Sequence, residues 1–199
     1  MSESEASLQK KNLTRRLFFA LVTPLLILLT ISTVLGFALS RLTKDARFVD
    51  HSDDVLAKIA EVQGQVVDQE TGLRGYLLTG NRIFLEPYDQ ARPLEALTEL
   101  RSLVVDNPEQ LARTDSIRSR YQLWHDGVQQ VLSRNQIVDA SSLPSMLSHK
   151  SHMDILRSEI RAMGAAEQTL RNQRKLASAA HVALIWVELV GLFVFAAGT

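Results

Sequence analysis

The stretch Asp68–Tyr88, "DQETGLRGYLLTGNRIFLEPY", sets Gly72 and Gly75 three residues apart in what otherwise reads as helix, with Arg74 between them and a Thr79-Gly80-Asn81 turn just beyond. Glycine in a helix interior costs on the order of 1 kcal/mol relative to alanine, so the pair calls for a reason in packing, hinging or recognition. Gly80 suits the left-handed end of a helix and Asn81 the cap of the next one, so the chain is expected to reverse here.

Upstream of the turn, Phe48, Ser52, Val55, Ile59, Val62, Val66, Gln69, Leu73 and Tyr76 alternate steps of four and three. That spacing predicts one long helix with a single buried stripe. Nothing breaks it between Leu39 and Phe48, so it is expected to continue from the apolar run Leu17–Leu39, "LFFALVTPLLILLTISTVLGFAL". From Leu17 to Thr79 such a helix would measure roughly 90 Å. The apolar run carries no charge and is long enough to cross a hydrocarbon core of roughly 30 Å, despite Pro24. A cleaved signal peptide is the competing reading, given the basic start at Lys10, Lys11, Arg15 and Arg16. The run exceeds the roughly 7–15 residues of a signal core, however, and lacks a small-x-small cleavage site.

Downstream, a second helix is expected to contain Leu85, Tyr88, Leu97, Leu100 and Val104, with a restart or kink at Pro87 and Pro93. "DNPEQL" then gives a start signal: Asn107 as N-cap, Pro108 in the first turn and Gln110 placed for a capping box. The third helix follows with the stripe Ile117, Tyr121, Trp124, Val128 and Val131, and "NQIVDASSLPS" reads as the next loop. The fourth carries Met146, Met153, Leu156, Ile160, Met163, Glu167, Leu170 and Arg174. It leads into a second apolar run, Ala179–Thr199, interrupted by His181 and Glu188. A carboxylate within a bilayer is expensive, so Glu188 is expected either to face another helix or to be protonated; a tolerated acid in a very apolar span is the plainer alternative. The chain ends in this run and is expected to be a piece of a longer protein.

The fold expected is therefore all-α: an antiparallel four-helix up-down bundle whose first and fourth helices continue into two transmembrane helices. The divisions are a tail over 1–16, a span over 17–39, the bundle over 40–178 and a second span over 179–199. Lys and Arg flank both runs, so charge alone leaves the orientation open. With 22 basic and 22 acidic residues and no cysteine, the chain has no bulk pull toward nucleic acid, no disulfides and no thiolate metal site.

Catalytic motifs are absent from the sequence, and neither a catalytic centre nor a cofactor is expected. His149 and His152, with Asp154 nearby, could form a metal face, but a solvated polar helix surface accounts for them more simply, and no metal site is assigned. Tyr76, Tyr88, Tyr121 and Trp124 could line a cleft; bundle core with hydrogen-bonded polar tips is the preferred reading. Glu70 and Arg74 have the i,i+4 spacing of an exposed helix ion pair.

The quoted motif closely resembles the signature of the third CHASE family, the extracellular sensory domains of bacterial histidine kinases, cyclases and chemoreceptors. Glu70, Thr71, Gly72, Arg74, Gly75, Tyr76, Leu77, Thr79, Gly80, Leu85 and Tyr88 carry the resemblance, and Asn81 stands where the family often has Asp. "SHMDILRSEIRAMGAAEQTLRNQR" is similar to the family's last helix, and the likeness runs from about Arg47 to Arg174.

The resemblance implies a two-pass protein of the bacterial inner membrane, with its amino terminus cytoplasmic and its bundle periplasmic or extracellular. The chain is expected to act as a homodimer that relays an unidentified small-molecule or protein signal across the lipid bilayer to an output domain absent here, with a histidine kinase the leading candidate. The alternative is a two-span scaffold that binds another membrane protein and senses nothing. Gly72, Gly75, Gly80 and Asn81 are expected to serve close packing and the turn. Glu70, Arg74, Tyr76 and Tyr88 are the candidate ligand-binding set at the bundle's far end.

Overall fold

The computed structural model describes residues 3–133 and 143–197, and every regular element among them is helical. Helix α1 runs Glu3–Thr79, a 3-10 turn follows at Arg82–Leu85, and α2 (Glu86–Gln90), α3 (Pro93–Leu103), α4 (Pro108–Ser133) and α5 (Leu143–Ala197) complete the order. The expected loop "NQIVDASSLPS" lies largely outside the described residues. Its last part is helix instead, because α5 begins at Leu143 and Pro144 fits a first turn, where its missing N–H has no intrahelical role. The side chains of Met146 and His149 also lie outside the described set.

The chain divides into two compact units, Met1–Phe48 with Arg174–Thr199, and Val49–Gln173. In the first, Leu17, Phe18, Leu21, Leu25 and Leu29 are all exposed, and by length and composition α1 is apolar enough to cross a bilayer. Thr30 and Thr33 return their hydroxyls to the carbonyls four residues back at 2.8 Å, which satisfies both hydroxyls within the helix. The second apolar run forms the end of α5, its last two residues outside the described set. Asp45 meets His181 at 2.9 Å, and Glu188 lines a cleft of about 240 Å³ with Thr33, Arg41 and His181, so it does face the other helix of this unit.

In the second unit the apolar stripes close on one another. Val55, Ile59, Val62, Val66 and Leu73 of α1, Leu97 and Leu100 of α3, Ile117, Tyr121, Trp124 and Val128 of α4, and Met153, Leu156, Ile160 and Met163 of α5 form one core. The stripe on α1 starts at Ser52 rather than at Phe48, which is 53% exposed and has the Arg174 guanidinium 5.5 Å from its ring centroid. Val131 is only half-buried, as the stripe on α4 runs out near the end of that helix.

Cross-contacts give the register. Lys58 of α1 reaches Glu99 of α3 at 2.6 Å while Gln65 accepts from the Arg92 amide at 2.7 Å, so α1 and α3 run antiparallel. Arg101 pairs with Asp115 at 2.8 Å, and Arg118 donates to Thr98 at 3.3 Å, which makes α3 and α4 antiparallel. Asp53 pairs with Arg171 and Glu70 with Arg157, which does the same for α1 and α5. The unit is thus an antiparallel all-α bundle.

The turn is built as expected. Gly80 takes φ +68, its amide closes α1 on the Tyr76 carbonyl at 2.8 Å, and Asn81 Oδ1 caps the 3-10 turn by accepting from the Ile83 amide at 3.0 Å. Pro87 and Pro93 each fall in a first turn, which divides the expected second helix into α2 and α3. Asn107 caps α4 through the Gln110 amide at 3.2 Å. The expected capping box is not reciprocal, because the Gln110 side chain points into the core and donates to Glu167 at 3.0 Å.

The two glycines have a packing answer. A Cβ on Gly72 would lie 3.0 Å from both the Phe84 carbonyl oxygen and the Tyr88 amide nitrogen, and one on Gly75 would lie 2.9 Å from Phe84 Cβ. Backbone atoms cannot yield as side-chain ends do, so α1 approaches the returning segment this closely only without a Cβ at these positions. Gly64, on the same helix, has nothing within 4 Å. Gly72→Ala should therefore destabilise the bundle by about 1–3 kcal/mol, whereas Gly64→Ala should stabilise it by roughly 0.5–1 kcal/mol. Urea unfolding of the two variants checks this opposition of sign.

Candidate functional site

Successive helix residues project about 100° apart, so neighbours on α1 can serve different partners. Gln69 and Glu70 do so. Gln69, a polar residue in the apolar stripe, accepts from the Tyr121 hydroxyl at 2.8 Å and donates to the Tyr88 carbonyl at 3.3 Å. The Tyr88 hydroxyl in turn accepts from Gln129 at 3.0 Å, and the His125 ring stacks on Tyr88 with centroids 6.2 Å apart and planes 5° from parallel. The polar tips of two buried tyrosines are thus satisfied within the bundle. Burial pushes the Tyr88 phenol up to about 12 and raises that of Tyr121 as well.

Glu70 turns the other way. It is only 6% exposed, and its carboxylate receives two guanidinium groups, Arg74 from its own helix and Arg157 of α5 at 3.0 Å. The expected exposed i,i+4 pair is therefore one side of a three-residue bridge around a buried carboxylate. Such an acid needs partners of opposite charge, and here one of them comes from a different helix.

The expected ligand-binding set does not converge on one point. Glu70 and Arg74 meet, but Tyr88 belongs to the Gln69 network, and Tyr76 packs half-buried against the core. Gln69, His125, Gln129 and Arg157 complete the two networks. Gln69 was detectable as a polar residue at a heptad core position, and Arg157 lies within the stretch that resembles the family's last helix. His125 and Gln129 carried no sequence signal.

Beside the bridge, Gln63 of α1 and Asp154, Arg157 and Arg161 of α5 line a polar cleft of about 300 Å³. Lys150 bonds to Asp154 and, with help from Arg157 and Arg74, holds its carboxyl below the usual carboxylate range. Among the described residues, no three His, Cys, Asp or Glu side chains gather where a metal ion could sit. The arrangement offers ion pairing and hydrogen bonding between α1 and α5.

Comparison with known proteins agrees with the all-α fold. The family model of the CHASE3 domain matches residues 45–177. A solved structure, the sensor domain of the Rhodopseudomonas palustris histidine kinase HK9, is similar with a TM-score of 0.54 and 26% identity. The alignment covers 61% of this chain and 98% of that one. No curated protein matches.

The tyrosine network makes stability depend on pH in a defined direction. Above the ordinary phenol value of 10.0 the unfolded chain ionises Tyr88, while the folded chain holds it neutral to about 12. Rising pH therefore favours unfolding across that window, by up to about 1.4 kcal/mol per pH unit from this group. Urea midpoints between about pH 9.5 and 11.5 should fall more steeply for the native chain than for Tyr88→Phe; equal slopes would show that Tyr88 contributes nothing.

Proposed function

Because this chain belongs to the CHASE3 family, we propose that it is the membrane-anchored sensory input module of a bacterial histidine kinase. In this reading α1 crosses the inner membrane outward through 17–39, the bundle stands in the periplasm, and α5 returns through 179–199 to an output domain outside this chain. The module works as a homodimer and performs no chemistry itself, consistent with a family of sensor rather than catalytic domains.

The observation that carries the reading is the pair of helices that bound the bundle. α1 and α5 are tied within it by Glu70 with Arg157 and by Asp53 with Arg171, and each helix also contains an apolar run. A signal that prefers one arrangement of α1 against α5 would bias both helices, and it can act only through different affinities for the two arrangements. Shifts of roughly 1–2 Å between packed helices are the usual currency of such switches. The similarity to the HK9 sensor domain, at 26% identity, favours a kinase over a cyclase as the output.

The test is a fusion of the whole chain to the cytoplasmic half of a reporter histidine kinase. Paired substitutions Ala46→Pro and Arg47→Pro break α1 outside the bundle. The expected result is a change of at least tenfold in reporter output, with membrane level and bundle melting unchanged. Output identical to that of the unbroken fusion would overturn the relay and favour a scaffold.

A further inference from the structure

The cleft lined by Gln63, Asp154, Arg157 and Arg161 gathers polar groups of α1 and α5 that the bundle's own ion pairs leave wholly or partly unused. Most charged side chains on the unit are matched: Lys58 with Glu61 and Glu99, Arg101 with Asp115, Arg113 with Glu109, and Arg120 with Glu159. Arg161 is not. Its Nε donates to the Arg157 carbonyl at 3.3 Å, and among the described residues no carboxylate pairs with it. Gln63 likewise makes no side-chain hydrogen bond among the described residues. Arg157 engages Glu70 through Nη1, which leaves the remainder of its guanidinium facing the cleft, and Asp154 bonds to Lys150 through Oδ2, which leaves Oδ1.

We propose that this cleft binds a small amino acid as its zwitterion, the carboxylate on Arg161 and Gln63 and the ammonium group on Asp154. Charge decides the class. A purely anionic ligand such as phosphate would pair with the guanidinium groups but leave Asp154 Oδ1 unanswered, and a metal cation would face two guanidinium groups. A molecule carrying both signs satisfies both, because a guanidinium fork matches a carboxylate and a carboxylate accepts from an ammonium. Size agrees, since about 300 Å³ is at the small end of ligand pockets, which run roughly 300–1,000 Å³. Hydrophobic lining is minor, which suits a small polar side chain.

The cleft has one wall on α1 and the other on α5, and it includes Arg157, the residue that joins α5 to Glu70. A ligand held between Gln63 and Arg161 would stabilise one arrangement of the two helices. That consequence rests on the sensory reading above; the binding itself does not.

The experiment is calorimetric titration of the full chain in lipid nanodiscs with the twenty standard L-amino acids, first pooled and then singly, with acetate and ethylamine as half-ligands. At least one amino acid should bind saturably, and much more tightly than either half-ligand. Arg161→Ala and Asp154→Asn, both at exposed positions, should each weaken binding at least tenfold without lowering the melting temperature. Arg120→Ala, which removes a matched surface arginine, should leave binding unchanged. No saturable binding, binding indifferent to Arg161→Ala, or acetate binding as tightly as the amino acid would each overturn the proposal. Binding that leaves the kinase fusion silent would keep the site and sink the sensory reading. A fusion that answers another stimulus while the chain binds no amino acid would do the reverse.

Discussion

The bundle depends on the close approach of α1 to the segment that returns after the turn. At Gly72 the two backbones, and at Gly75 the helix and the Phe84 side chain, come so close that a Cβ would force a shift, and that contact helps to set where Tyr88 sits. Once Tyr88 is placed, its carbonyl receives Gln69 and its hydroxyl receives Gln129, so α1, α2 and α4 share one hydrogen-bonded network. Glycine's conformational freedom is needed only at Gly80; at the other two positions it is the missing side chain that matters.

The same turn of α1 also addresses α5. Because Gln69 faces the tyrosines, Glu70 must face elsewhere, and it is buried against Arg157. Burying a carboxylate is costly unless it is paired, and the pairing here acts as a register mark between the two helices that also contain the apolar runs. Interhelical polar contacts of this kind specify one arrangement among several apolar ones. In the sensory role proposed for the chain, such a mark would distinguish one packed arrangement of the two helices from another.

Much of this was legible in the sequence because the periodicity is strong. The steps of four and three along α1, α4 and α5 identify the core positions of those helices, and Gly80-Asn81 and Asn107-Pro108 identify the turn and a cap. What was not legible depends on three-dimensional partners. Gln110 has the spacing of a capping box, yet a buried Glu167 on another helix takes its side chain. Phe48 has the right register for the stripe but lies outside the bundle unit. Glu70 and Arg74 have the spacing of an exposed pair, and only the position of Arg157, 87 residues away, makes the carboxylate a buried hub.

The most direct test of the account is a double-mutant cycle on Glu70→Gln and Arg157→Gln, read as unfolding free energies in urea. Arg157 is partly exposed, so screening tempers the interaction, and the account predicts a coupling of about 1 kcal/mol. Single losses that simply add, with coupling below about 0.3 kcal/mol, would mean that the two residues merely lie near each other and that α1 and α5 are registered by apolar packing alone.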